Sequence, residues 1–72
     1  MDYASALPLF QKGAELGQGG SMRFLGTMYQ NGYGVEANKE EAIKWYKAAL
    51  ETDDLSQDEI DYINEQLTKL GA

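Results

Sequence analysis

The chain has 72 residues, with 12 acids against 6 bases and a net charge of −6. It contains neither cysteine nor histidine, which excludes a disulfide framework, a thiolate nucleophile and the commonest general base and metal ligand. Hydrophobic residues make up 43%, enough for one small core, and no apolar run approaches the ~18 residues of a membrane span.

The first segment, from Asp2 to about Leu16, reads as a helix with Asp2 as its cap. Pro8 is awkward inside it, because proline lacks an N–H and clashes with the carbonyl four residues back. The expectation is a kink near Ala4, or a helix that effectively starts near Ser5. Tyr3, Ala6, Leu7, Leu9, Phe10, Ala14 and Leu16 spread over roughly 180° of its wheel, wider than one neighbouring helix covers.

Gly17-Gln18-Gly19-Gly20 then breaks the chain. A glycine-rich run before a helix suggests a phosphate cradle. It lacks the lysine ending of a P-loop and a preceding strand, so a turn is the better reading. In the second segment Ser21, Met22, Phe24, Leu25, Met28 and Tyr29 fill roughly 160°. Arg23, Thr27 and Gln30 line the opposite face. Asn31-Gly32-Tyr33-Gly34 ends it.

The third segment opens on Asn38, with Glu41 three residues on, in a capping-box pattern. Its apolar positions, including Ala42, Ile43, Trp45, Tyr46, Ala49 and Leu50, cover roughly 220°. A strip of Glu40, Lys44, Lys47 and Glu51 allows two i,i+4 ion pairs. An arc so wide predicts that this helix sits in the middle of the fold. After Thr52-Asp53-Asp54, Ser56 and Glu59 repeat the capping-box pattern. In the fourth segment Ile60, Ile63, Leu67 and Leu70 span only about 80°, as in a helix that closes one end. The predicted core is Phe10, Leu25, Met28, Tyr29, Trp45, Tyr46 and Ile63.

A shift of 36 residues superposes part of the chain on itself. Asp2 falls on Asn38, Ala6 on Ala42, Leu7 on Ile43, Leu9 on Trp45 and Phe10 on Tyr46. Such a period is the mark of stacked structural repeats. The run Leu25-Gly26-Thr27-Met28-Tyr29-Gln30-Asn31-Gly32-Tyr33-Gly34-Val35 resembles the core of Sel1-like repeats, a branch of the tetratricopeptide-like helical repeats. Asn38 to Tyr46 is similar to the second half of that repeat, and Ala6 to Gly17 to the second helix of a preceding one. Arg23 departs from the pattern, which usually has an aromatic there, and the stretch after Trp45 is one residue short.

The fold class expected is therefore all-α, a short α-solenoid of four antiparallel helices in one domain. Residues 1–17 form the second helix of a partial repeat, 18–52 one full repeat and 55–71 a capping helix. The resemblance implies a non-catalytic adaptor that binds a protein or peptide. No catalytic, cofactor or metal residue is expected, and the partner surface is placed on the polar face at Arg23, Thr27 and Gln30.

Charge completes the picture. Residues 37–72 carry nine acids against four lysines, and seven acids lie between Glu51 and Glu65 with no base. Such a field repels nucleic acid and anionic membranes. The density of Asp53, Asp54, Asp58, Glu59 and Asp61 suggests calcium, but the spacing is not that of an EF-hand. An alternative to the adaptor is a small acidic inhibitor that blocks a basic site on a partner. Met1-Asp2-Tyr3 lacks the order of a signal peptide, so the expected compartment is the cytoplasm. The broad apolar arc of the first helix predicts a homo-oligomer formed through it.

Overall fold

A computed structural model describes residues 2–72; Met1 lies outside the described residues. Four helices follow in order: α1 (Tyr3–Glu15), α2 (Gly19–Asn31), α3 (Lys39–Leu50) and α4 (Gln57–Lys69). Among the described residues there is no strand. Successive helices pack antiparallel, α1 on α2, α2 on α3 and α3 on α4.

Each start has a local cause. Asp2 Oδ1 accepts from the N–H groups of Ala4 and Ser5 at 3.1 and 3.4 Å. This cap holds α1 helical from Tyr3, so the later start near Ser5 is corrected. The carbonyl that Pro8 leaves without a helical donor belongs to Ala4, which is exposed and open to water. The helix ends in a Schellman motif: Gly17 N–H bonds the Ala14 carbonyl and Gln18 N–H the Gly13 carbonyl, both at 3.0 Å.

At α3 only half of the expected capping box forms. Asn38 Oδ1 accepts from Glu41 N–H at 3.1 Å, but Asn38's own N–H donates to the Tyr29 carbonyl of α2 at 2.8 Å. A tertiary acceptor thus replaces the Glu41 side chain and ties the start of α3 to the last turn of α2. Glu41 is left to pair with Lys44 at 3.8 Å, in place of the i,i+4 pairs expected on that strip. At α4 the box is complete: Ser56 N–H donates to Glu59 Oε1 at 3.1 Å, and Glu59 N–H donates to Ser56 Oγ at 3.2 Å.

Two apolar clusters make the core. Ala14, Leu25 and Met28 form one, with Tyr3, Leu7, Phe10, Phe24, Val35 and Trp45 packed around them. The Phe10 and Phe24 rings stack there, with centroids 4.2 Å apart. The other holds Ala42, Tyr46, Ala49, Ile63 and Leu67. Met22 touches both clusters and joins the layers. Of the predicted core, Leu25, Met28, Tyr46 and Ile63 are fully buried, while Phe10, Tyr29 and Trp45 are half-buried.

The central helix is α2, not α3. From Gly19 to Gln30 no residue of α2 is exposed, whereas Lys39, Glu40, Lys44 and Lys47 of α3 face water. The apolar arc of α2 understates its enclosure because its polar side is covered too, by hydrogen-bonded partners on α4. One glycine makes the α2–α3 contact close. A Cβ placed on Gly26 falls 2.7 Å from Cδ1 and Cε1 of the Tyr46 ring.

Candidate partner surface

Arg23, Thr27 and Gln30 lie one to two turns apart on α2 and are all half-buried. The structure brings them together on one face, but that face is not free. Arg23 Nε meets Glu59 Oε2 at 3.3 Å. The guanidinium carbon also lies 5.7 Å from the centre of the Tyr62 ring. Thr27 Oγ1 lies 2.9 Å from the Tyr46 hydroxyl and 3.0 Å from that of Tyr62. Gln30 Nε2 donates to Gln66 Oε1 at 2.8 Å, and Gln30 Oε1 accepts from the Tyr46 hydroxyl at 2.7 Å. The polar face on which the partner surface was placed is therefore part of the fold's own packing: its side chains dock α4.

Proton counting orders this network. Tyr46 has one hydroxyl proton, and a carbonyl oxygen can only accept, so that proton goes to Gln30. The single Thr27 proton is drawn by the Arg23 carbonyl at 3.3 Å and by the Tyr46 hydroxyl at 2.9 Å; on the shorter contact Thr27 donates to Tyr46, and Tyr62 then donates to Thr27. The chain runs one way, from Tyr62 through Thr27 and Tyr46 to Gln30, whose amide group donates on to Gln66. Hydrogen bonds aligned in this way polarise one another. Burial, the largest cause, pushes the Tyr46 phenol well above its ordinary range, and the hydroxyl acts as a neutral donor.

Asp54 closes the other end of the seam. Its two carboxylate oxygens accept from Gly19 N–H at 3.2 and 3.1 Å. Gln18, at the cap position of α2, makes no side-chain cap bond, so an acid 35 residues away supplies the anion. That carboxylate stands where a phosphate would need to sit. A Cβ on Gly19 would collide with Thr52 and Asp54, which explains the glycine in the turn. The Thr52 hydroxyl and the Gly19 N–H beside it hold the Asp54 carboxyl below its usual range. Thr52 has a single hydroxyl proton, which the Ala49 carbonyl also draws at 2.7 Å; the Gly19 N–H is the steadier support. Glu59 is lowered as well, first by the Ser56 N–H, then by the Ser56 hydroxyl and Arg23. Its two oxygens serve the cap and the arginine separately.

The remaining candidate features are surface features. Asp53, Asp58 and Asp61 are exposed, and among the described residues no group of three or more acids is placed to hold a metal ion. No cavity forms among the described residues. On α1, Tyr3, Ala6, Leu7 and Phe10 are half-buried and Ala14 is buried. The broad patch expected there shrinks to Leu9 and Leu16, which are 74% and 66% exposed. Two leucines of this size fall within the ordinary surface of a monomer.

Sequence reasoning missed Asp54, Tyr62 and Gln66, and missed the hydroxyl role of Tyr46. A signal was present. The four pairs Gly19–Asp54, Arg23–Glu59, Thr27–Tyr62 and Gln30–Gln66 are separated by 35 or 36 residues, the same offset as the internal repeat. Both members of each pair advance together, so α2 and α4 run parallel, as the first helices of successive layers.

Stacked helix pairs with this periodic offset define a helical-repeat protein of the solenoid class. The Sel1 repeat family model matches residues 2–18 and 20–54, and the chain belongs to that family. The matched stretches take in α1, α2 and α3, while α4 lies beyond them. No curated protein and no solved structure matches the chain. Sel1 repeats are in general protein-interaction modules, and the family is typically a non-catalytic scaffold. No helix among the described residues is long and apolar enough to cross a membrane.

Proposed function

We propose that the chain is a non-catalytic protein–protein interaction module, an adaptor that engages a protein or peptide in the cytoplasm. The observation that carries this reading is the two-layer helical stack with a polar seam. Apolar residues hold the layers, and the polar residues of the seam are half-buried, with part of each side chain left at the surface. In repeat proteins the core sets the shape and the polar surface chooses the partner. Arg23, Thr27 and Gln30 keep part of their surface exposed, and in this reading a partner meets them along the α2–α4 edge. Residues 1–17 then act as a partial repeat, 18–52 as the full repeat and 55–71 as the cap.

A second reading, the acidic inhibitor, is favoured by the exposed Asp53, Asp58, Asp61 and Glu65. Salt separates the two. Once a partner is captured by crosslinking, its affinity is measured at low and high salt for the wild type and for Gln30→Ala. Folding of the variant is checked first by circular dichroism. The adaptor loses affinity with Gln30→Ala and responds weakly to salt. The inhibitor weakens steeply with salt and ignores the substitution. Binding that responds to neither overturns both readings.

A further inference from the structure

We infer that Asn31 and Gly32 form a self-modification site, an intramolecular deamidation that the last turn of α2 holds back and that proceeds when this turn opens. Asn31-Gly32 is the chain's one asparagine–glycine step; Asn38 and Asn64 precede lysine and glutamate. An asparagine side-chain amide lies within ring-closing reach of the next residue's backbone nitrogen, and glycine puts no side chain in the way. Asparagine counts among the thermolabile residues for this reason.

The reaction needs only water. Gly32 N gives up its proton and bonds Asn31 Cγ. The Cγ–Nδ2 bond breaks, Nδ2 takes up a proton, and ammonia leaves behind a five-membered imide. Water then opens the imide at either carbonyl: the hydroxyl stays on that carbon, which becomes a carboxyl, and a proton returns to the nitrogen. One opening gives aspartate. The other gives isoaspartate, with the backbone rerouted through the side chain. Nothing is oxidised or reduced.

The fold opposes ring closure at both reacting groups. Gly32 N–H donates to the Met28 carbonyl at 2.8 Å. Asn31 Nδ2 donates to the Thr27 carbonyl at 3.1 Å, which draws the side chain back along the helix. Asn31 is also the last residue of α2, and its helical ψ has to change before the Gly32 nitrogen faces Cγ. The turn is fastened further by Tyr33 N–H, which shares the Met28 carbonyl at 2.9 Å, and by Asn38 N–H, which ties the Tyr29 carbonyl to the start of α3 at 2.8 Å. Asn31 is exposed, so water reaches the site once the turn opens. Neither product rebuilds the turn. Both lose the Nδ2 donor to Thr27 and gain a negative charge at the C-terminal end of α2, where the helix dipole disfavours it. The opening of α2 is thereby recorded as an irreversible change.

The test follows the wild-type chain over time at mildly alkaline pH, folded in buffer and unfolded in guanidinium chloride. The tryptic fragment from Phe24 to Lys39 is sequenced by mass spectrometry. A synthetic peptide of residues 27–36, kept under both conditions, calibrates the effect of the solvent. Conversion at Asn31 is expected to be roughly ten- to hundredfold slower in the folded chain, the factor that two opposing hydrogen bonds supply. Asn38, on the same fragment, should stay unconverted throughout. Equal rates in the two states overturn the inference, and so does an Asn31 that is unreactive in guanidinium or converts no faster than Asn38. Converted chains carry one more negative charge and are separated by ion exchange. Their urea midpoint should lie below that of unconverted chains; an unchanged midpoint overturns the claim that the modification marks an opened turn.

Discussion

Replacing Gly26 with alanine sets two effects of opposite sign against each other. In the interior of a helix, alanine is favoured over glycine by about 0.8–1.0 kcal/mol. Against this stands the Tyr46 ring, two of whose carbons lie 2.7 Å from where the new Cβ must go. Tyr46 has no exposed surface, so the ring has no empty space to retreat into. Its hydroxyl is held by Thr27 and Gln30 at 2.9 and 2.7 Å, and moving the ring stretches both bonds. Overpacking of this kind costs about 1–3 kcal/mol before the hydrogen bonds are counted. Sterics and stretched bonds together exceed the propensity gain, and Gly26→Ala should lose about 2 kcal/mol net. For a domain of this size that corresponds to a fall of roughly 8–16 °C in Tm. Gly20→Ala is the internal comparison, since its Cβ meets only Glu59 Oε2, at 3.9 Å. That variant should match the wild type or gain slightly. Urea titration and calorimetry of the three proteins decide the matter. A Gly26→Ala chain as stable as Gly20→Ala would refute the close-contact argument.

Tyr46→Phe keeps the ring and removes the hydroxyl, leaving Gln30 Oε1 without its donor and Thr27 with the Arg23 carbonyl as its remaining acceptor. It should cost about 1–3 kcal/mol by urea titration, and an unchanged midpoint would show that the hydroxyl chain contributes nothing. Asp54→Asn tests the clasp on Gly19 through pH. The folded Asp54 carboxyl lies below the ordinary aspartate value of about 3.9, so its stabilising effect is full above that value and is lost as pH falls through the lower folded value. The Tm gap between wild type and Asp54→Asn should therefore be widest near pH ~7 and shrink toward pH ~2.5. A gap that stays constant across that range would remove Asp54 from the acid response.

Periodicity and punctuation in the chain are local signals, and they carried the helix count. Glycine and asparagine turns and the Asp2 and Ser56 caps act within a few residues of where they stand, and the 36-residue recurrence of bulky pairs is visible by laying the sequence on itself. They are legible without knowing what lies across the fold. Leu25 and Ile63 were legible for the same reason, each lying about 20° from the centre of its helix's apolar arc, while Met28 and Tyr46 lie inside their arcs but about 40–50° off centre. What escaped was the use of polar residues. An arc on a wheel records which face avoids water, not which polar groups have found partners. Thr27 and Gln30 therefore read as a solvated face, although tyrosines and glutamines some 36 positions on cover them. The same blindness moved the centre of the fold from α2 to α3. Asn38 and Asp54 show it at the helix ends. Each has a local role written into its neighbourhood, but Asn38 gives its N–H to α2, and Asp54 caps a helix in the layer before it. Sequence alone determined the helices, the repeat and the family, because short-range geometry sets them. Only the packed structure decided which donor meets which acceptor, because a hydrogen bond selects its partner by distance in space.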